Sequence, residues 1–283
     1  MMIRTRFAPS PSGYLHLGHA ESAAQAFGFA RENQGECLLR IEDIDTTRCK
    51  PEFETAIYEN LQWLGFHWPT PVRRQSDHFA DYISVLTRLR DMGLVYRCFK
   101  TRKEILEDIA RAPHNHDNIY MGPKHILSAK QEGTLLASNQ PYAWRLSLQA
   151  CRSFLGERYQ TLSFMNNGET IKANPDTLGD VILARKDVGT SYHLACTHDD
   201  ALQNITHIIR GVDLLGSTHI HRLLQEIMGW PVPEYHHHPL LTDENGKRYA
   251  KRDKALTLKT LRAQGVSPGN VLAHKINWKK HES

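Results

Sequence analysis

The chain has 283 residues, 40% of them hydrophobic and 23% charged, with a formal net charge of +4 at pH 7. That is an ordinary globular composition with enough chain for a large core and more than one lobe, and it leaves no place for a collagen-like or low-complexity architecture. The mild basic excess admits an anionic partner without demanding one. Five cysteines (Cys37, Cys49, Cys98, Cys151 and Cys196) are scattered, with no C-x-x-C pair, which points to thiols in a reducing compartment. The opening residues lack the apolar core of a signal peptide and no long apolar run follows, so the expectation is a cytoplasmic protein without a membrane segment.

The first element is RFAPSPSGYLHLGHAESAAQAFGFA, residues 6–30. A short strand runs into Pro-Ser-Pro-Ser-Gly, then into an Ala-rich helix with His16 and His19 at its mouth. Prolines hold the backbone extended, and Gly13 permits a tight turn. The helix N-terminus presents amides with partial positive charge, Gly18 lets a ligand approach the backbone, and imidazoles there can donate to phosphate oxygens. A nucleoside triphosphate suits such a mouth. A proline-rich turn carrying two surface histidines would show the same letters, and metal binding lacks a third ligand at a convincing spacing.

ECLLRIEDID (36–45) reads as a buried strand ending in acids. Asp43 and Asp45 would share a face on such a strand, either to help hold Mg²⁺ or as caps. Residues 51–66 have helical apolar spacing at Phe53, Ile57, Leu61 and Leu64 behind Pro51. Residues 76–96 form a clearer helix, with Ser76 as cap, Phe79, Tyr82, Leu86 and Leu89 on one face, and Gly93 beyond its end. Alternating strands and helices at this spacing predict a parallel α/β sheet. The pattern loosens between about Cys98 and Asn174, which reads as an insertion. The strand-like DVILARK (180–186) resumes the α/β rhythm. STHIHRLLQEIMGW (217–230) is a helix capped by Ser217 and ended by Gly229, and a basic loop then leads into helix.

Several of these stretches together resemble one family. RFAPSPSGYLHLGH is similar to the first His-Ile-Gly-His motif of the class I aminoacyl-tRNA synthetases, in the glutamyl and glutaminyl branch. RIEDID (40–45) resembles that branch's Arg-Ile-Glu-Asp-Thr-Asp. SYHLACTHDDALQNITHIIRGVDLL (191–215) resembles its Tyr-His-Leu-Ala, Asp-Asp and Arg-Gly elements. NGKRYAKRDK takes the position of the mobile Lys-Met-Ser-Lys-Ser loop; aligned on its last lysine it keeps Lys251, with Arg248 in place of the first lysine and both serines lost.

The resemblance implies a Rossmann-like parallel-sheet catalytic domain with an inserted mixed subdomain. Its first half would span 1–97, an acceptor-binding-like insertion 98–178, the second half 179–245, and the lysine loop with a helical tail 246–283. ATP would meet His16, Gly18, His19, Arg248 and Lys251, of which His16, His19 and Lys251 would be catalytic, with Mg²⁺ as companion. Glutamate would meet Arg6, Ala8, Ser10, Glu42, Tyr192 and Arg210. Read as residues alone, Arg210 is equally a surface charge, Tyr192 a core ring and Glu42 a partner for Arg40 or Lys50.

The chain ends about thirty residues past Lys251, so no anticodon-binding domain is expected. That absence, with RGVDLL and HHHPL, resembles a paralogous family, the glutamyl-Q tRNA(Asp) synthetases. The implied activity is activation of glutamate with ATP without tRNA, then transfer to queuosine in the anticodon of tRNA(Asp), by a monomer. The alternatives are a truncated glutamyl-tRNA synthetase charging a 3′ end, a catalytically silent tRNA-binding module, or a nucleotidyltransferase sharing His-x-Gly-His. Many family members hold zinc with Cys-x-Cys and Tyr-x₃-Cys. This chain has Cys98 but Lys100, and Tyr120 but Lys124. A set rebuilt from Cys98, His114, His116 and His125 is conceivable, yet irregular, so the expectation is no zinc.

Overall fold

The computed structural model describes residues 2–110, 119–123, 127–241 and 257–273. In chain order the strands and helices begin with β1 (Arg4–Phe7), α1 (Leu17–Glu32), β2 (Glu36–Ile41), α2 (Pro51–Trp63) and β3 (Arg73–Arg74). They continue with α3 (Phe79–Asp91), β4 (Val95–Cys98), α4 (Arg102–Ala110), α5 (Ala129–Ala137), β5 (Ala143–Leu146), α6 (Leu148–Leu155) and α7 (Glu157–Thr161). Then come β6 (Ser163–Asn166), β7 (Glu169–Lys172), β8 (Ile182–Arg185), α8 (Tyr192–Leu202), β9 (His207–Gly211), α9 (Leu215–Met228), β10 (Glu234–His238), α10 (Leu258–Ala263) and α11 (Pro268–Leu272). The chain divides into two compact units, the first made of the described parts of Met1–Asp77, Asn204–Leu214 and Pro233–Ser283, the second of His78–Gln203 and Leu215–Val232.

The first unit is a parallel α/β layer. β1 pairs parallel with β2 in the register Arg4↔Glu36, and β2 with β3 at Arg40↔Arg73. β9 follows on the other side of β1, where Thr206 N–H donates to the Arg4 carbonyl at 2.9 Å, and β10 pairs parallel with β9. α1 packs against β1, β2 and β9. Its buried stripe is Leu17, Ala20, Ala23, Ala26, Phe27 and Ala30. The run of alanines explains both the helix and its close seating: alanine has the best helix propensity and no bulk to hold the sheet away. Thr5 confirms the approach, its hydroxyl donating to the Ala26 carbonyl at 2.9 Å. Fully buried Leu39, Ile41, Ile57 and Leu61 fill the same core, each contributing about 1.5–3 kcal/mol by leaving water.

The second unit is mixed. β4, β5 and β8 form an antiparallel sheet, and β6 with β7 a hairpin around Asn167 and Gly168, both at positive φ. α3 and α8 pack together around fully buried Tyr82, whose hydroxyl donates to the Asp199 carboxylate at 2.8 Å.

Four sequence expectations change here. β2 ends at Ile41, so Asp43 and Asp45 are not strand residues. The Asp43 carboxylate turns back to accept from Ser76 N–H at 2.7 Å and Ser76 Oγ at 2.6 Å. That use of Ser76 also overturns its reading as a helix cap: a 3₁₀ turn spans Gln75–His78, and α3 starts after it with His78 in the cap position. The strand within 180–186 is present as β8, but it pairs antiparallel with β5 instead of continuing the parallel rhythm. α9 starts at Leu215, two residues before the expected Ser217 cap, and Gly229 follows its end at φ +68.

Candidate active site

The proline loop is held by its own carbonyls. Pro9 C=O accepts Glu42 N–H at 3.1 Å and Pro11 C=O accepts Lys50 N–H at 3.1 Å. Proline has no N–H to offer, so these carbonyls are how 9–11 is tied to the segment leaving β2. Ala8 and Ser10 are half-buried in this loop, and Ser10 Oγ lies 3.7 Å from Cys49 Sγ.

His16 and His19 cap α1 reciprocally. His16 Nδ1 accepts Gly18 N–H at 3.1 Å, and His19 Nδ1 accepts His16 N–H at 3.1 Å. This is a capping box built from imidazoles instead of a hydroxyl and a carboxylate. It has a chemical consequence. A neutral imidazole whose Nδ1 accepts must carry its proton on Nε2. Both rings therefore present an Nε2–H donor at a helix N-terminus, with centroids 3.9 Å apart. Such a mouth offers donors and positive potential to a polyanion. Gly18 is tight for its own reason: a Cβ there would stand 3.0 Å from His16 Cε1.

The far side of this mouth is the C-terminal segment. Thr257 bridges antiparallel to His16, Leu258 N–H donates to the Leu15 carbonyl at 2.8 Å, and Lys259 Nζ sits 4.6 Å from the Tyr14 ring centre. Arg248 and Lys251 lie outside the described residues.

A second focus gathers buried charge. Arg6 on β1 and Arg210 on β9 are each 4% exposed. Arg210 Nε donates to His237 Nε2 at 3.1 Å, Arg210 Nη2 donates to the Leu214 carbonyl at 3.2 Å, and its guanidinium lies 5.4 Å from the Tyr235 ring centre. Burial, then the charges of Arg210 and Arg6, push the His237 imidazole down to about 3, so it is neutral and serves as an acceptor. Glu42 is 13% exposed at its side chain and takes Arg40 Nη2 on Oε1 at 3.1 Å. The Arg40 pairing foreseen from sequence is thus present. Arg210 is no surface charge. Tyr192 belongs to the second unit as the first residue of α8, half-buried beside His193 and His221 with ring centres at 5.8 and 5.4 Å.

His237 is the residue that sequence reading left without a role. Its cue was the alternation in EYHHH, which buries Tyr235 and His237 on one face of β10 and leaves Glu234, His236 and His238 half-buried on the other.

A family model described as tRNA synthetases class I (E and Q), catalytic domain, matches residues 2–276. The chain belongs to that family. It is accordingly a ligase that forms a glutamyl-adenylate, and its fold is the Rossmann-like catalytic domain of these synthetases. The glutamyl-Q tRNA(Asp) synthetase of Rhodobacter capsulatus is 44% identical over 276 residues, 94% of this chain and 97% of that protein. The glutamate–tRNA ligase of Aquifex aeolicus is 35% identical over 94% of this chain, but only 55% of its own length is matched. A crystal structure of glutamate–tRNA synthetase from Elizabethkingia anophelis superposes with a TM-score of 0.71 at 31% identity, covering 89% of this chain and 53% of that one. The chain thus spans about half the length of the glutamate–tRNA ligases it matches.

The family zinc position does not fit here. Cys98 is packed among Ile105, Ile109 and Tyr120, and Lys100, where a second cysteine would stand, makes an ion pair with Asp108. Lys124, His114, His116 and His125 lie outside the described residues. No helix among the described residues is long and apolar enough to cross a membrane.

Proposed function

We propose that this enzyme activates glutamate with ATP in the absence of tRNA and transfers it to queuosine in the anticodon of tRNA(Asp). The observation that carries the acceptor choice is the match along 97% of a relative bearing that name. Glutamate as substrate is supported by the buried pair Arg6 and Arg210. Two guanidiniums at 4% exposure with a neutral histidine between their fields favour an anionic ligand, and a γ-carboxylate suits a guanidinium fork. In this reading Glu42, oriented by Arg40, takes the α-ammonium, Ala8 and Ser10 line the loop beside it, and Tyr192 is a glutamate ligand by family resemblance alone.

The chemistry then follows from the donors. The glutamate α-carboxylate attacks the α-phosphate of ATP in line and pyrophosphate leaves. His16 and His19 Nε2–H, with the first amides of α1, stabilise the charge growing on the phosphate oxygens. Gly18 keeps the backbone approachable there. Arg248 and Lys251 supply positive charge to the leaving group. Thr257 is fixed beside His16, and the six residues from Lys251 to Thr257 reach at most about 21 Å.

The residues present fit a triphosphate, since the mouth offers imidazole and amide donors at the start of α1. Asp43 is engaged by Ser76 and Arg74, and Asp45 by Thr47 and Arg48 at 2.6 Å each. Mg²⁺ would accordingly arrive on the nucleotide's own phosphates. Zinc forms no part of the reading. The functional partition at 1–97, 98–178, 179–245 and 246–283, a cytoplasmic location and a monomeric state complete it.

The test uses labelled glutamate, ATP and three RNAs: queuosine-bearing tRNA(Asp), the same tRNA unmodified, and tRNA(Glu). Label confined to the queuosine-bearing RNA is the expected result. Label on tRNA(Glu) would replace the proposal by charging of a 3′ end, a reading the Aquifex match favours. No label on any RNA and no glutamate-dependent pyrophosphate exchange would leave a tRNA-binding module.

A further inference from the structure

The opposite edge of the β9–β10 ladder carries a different set of groups. Glu234 is the register partner of His207 across the parallel pair. His236, two residues on, projects from the same face as Glu234. One ligand atom from each of His207, Glu234 and His236 lies within 4.8 Å of the others. His236 Nε2 is 3.3 Å from Glu234 Oε1, and His207 Nε2 is 3.8 Å from Glu234 Oε2.

Two further features make this more than a pair of surface ion contacts. His236 Nε2 is buried and makes no hydrogen bond. A buried nitrogen beside a carboxylate, yet without a hydrogen bond, invites a cation between them. His207 is held from its other ring nitrogen. The Thr206 hydroxyl accepts Arg4 N–H at 2.8 Å and donates to the Arg4 carbonyl at 3.2 Å. The same hydroxyl lies 2.8 Å from His207 Nδ1, and the other ring nitrogen, Nε2, is turned to Glu234. An outer hydrogen bond on the second ring nitrogen is how protein metal sites orient their histidines. Phe29 of α1 forms an apolar wall behind both rings, with centroids at 5.1 and 4.8 Å.

We propose that His207, Glu234 and His236 form a binding site for a borderline transition-metal dication of the Zn²⁺ class, clamping β9 to β10. Two imidazoles and a carboxylate select this class over Mg²⁺ and Ca²⁺, which prefer all-oxygen shells. Donors around a tetrahedral Zn²⁺ stand about 3.4 Å apart, so the 3.3 Å pair is already placed and no other separation needs to close by more than about 1.4 Å on side-chain rotation. A solvent molecule would take the fourth position. The site lies at the amino ends of the two strands, away from the carboxyl ends where α/β sheets bind substrates. Its role is to stabilise the ladder, independently of how the active site is read.

The experiment uses the full chain stripped of metal by a chelator, with Zn²⁺ and Co²⁺ as probes. One equivalent should bind. Melting should rise by a few degrees in excess Zn²⁺, as for any ligand that binds only the folded state. Co²⁺ should give the absorption of a tetrahedral site. His207→Gln and Glu234→Gln should each weaken binding by at least about tenfold while leaving glutamate-dependent pyrophosphate exchange unchanged. With 17 histidines in the chain, location needs its own measurement. Anomalous diffraction at the zinc edge on unmodified protein reads it directly and does not depend on how any variant folds. A peak among these three side chains supports the site. A peak only elsewhere, affinity unmoved by both variants, or no saturable binding overturns it.

Discussion

The β9–β10 ladder uses one residue type in two opposite ways. Towards its carboxyl end, His237 is buried between the fields of Arg210 and Arg6 and pushed down to about 3, so it stays neutral and accepts a hydrogen bond. At its amino end, His207 and His236 face the carboxylate of Glu234, and burial lowers His207 while Glu234 opposes the shift. The difference lies in the pleat. Alternate residues of Glu-Tyr-His-His-His go to opposite faces of β10, so neighbouring histidines meet charges of opposite sign. One face gathers two guanidiniums around a neutral imidazole, and the other sets two imidazoles against a carboxylate.

The largest test of that contrast removes the positive charge. Arg210→Met should lower glutamate-dependent pyrophosphate exchange by roughly 10²–10³-fold, since breaking a buried charged contact costs a few kcal/mol. Arg210→Lys should not restore it, because a point charge cannot reproduce the fork held by His237 and Leu214. Retention of exchange within about threefold would remove Arg210 from the glutamate site.

His16→Asn separates chemistry from capping. Asparagine is a good N-cap, so melting should change by less than about 1 kcal/mol in stability. The Nε2–H donor is gone, and the exchange rate should fall about 10²-fold. Equal loss of stability and rate would mean the imidazole serves the helix alone.

His237→Gln reads the neutral histidine through pH. A group whose folded pKa is depressed leaves the unfolded chain binding protons first as pH falls, so stability drops below about 6.5 and continues to drop towards 3. At pH 5 the cost is about 2 kcal/mol. Glutamine does not titrate and still offers an acceptor to Arg210. Stability measured by denaturant at pH 7 and pH 5 should therefore fall less in the variant by about that amount.

How much of this was legible depended on distance along the chain. The helix mouth was readable because its parts are adjacent: the prolines lie just upstream, and His16, Gly18 and His19 make the cap within four residues. α2 was readable from apolar spacing behind Pro51, and the turn after α3 from Gly93 at φ +73. What could not be read was who answers whom over long separations. Ser76 looked like a cap until Asp43, 33 residues earlier, claimed its hydroxyl. Arg210 could not be told from a surface charge without His237, 27 residues later. β8 has a strand's composition, but composition does not say which direction its partner runs. The roles of Arg6, Glu42 and Arg210 came through family resemblance, and the geometry now adds partners for Glu42 and Arg210.

The smallest expected effect is the most discriminating about the helix mouth. Gly18 lies in the first turn of α1, and alanine there gains up to about 1 kcal/mol of helix propensity. Its Cβ would sit 3.0 Å from His16 Cε1 and 3.2 Å from Nδ1, so the ring must shift by a few tenths of an ångström. Gly18→Ala should therefore melt at the same temperature or slightly higher, yet exchange pyrophosphate about tenfold more slowly, because a catalytic donor displaced by a fraction of an ångström loses much of its effect. A gain in stability with an unchanged rate would show that the imidazole position tolerates movement, and the glycine would then matter only for ligand approach. A fall in both would mean the cap cannot yield, tying stability and chemistry at this mouth to the same two nitrogen atoms.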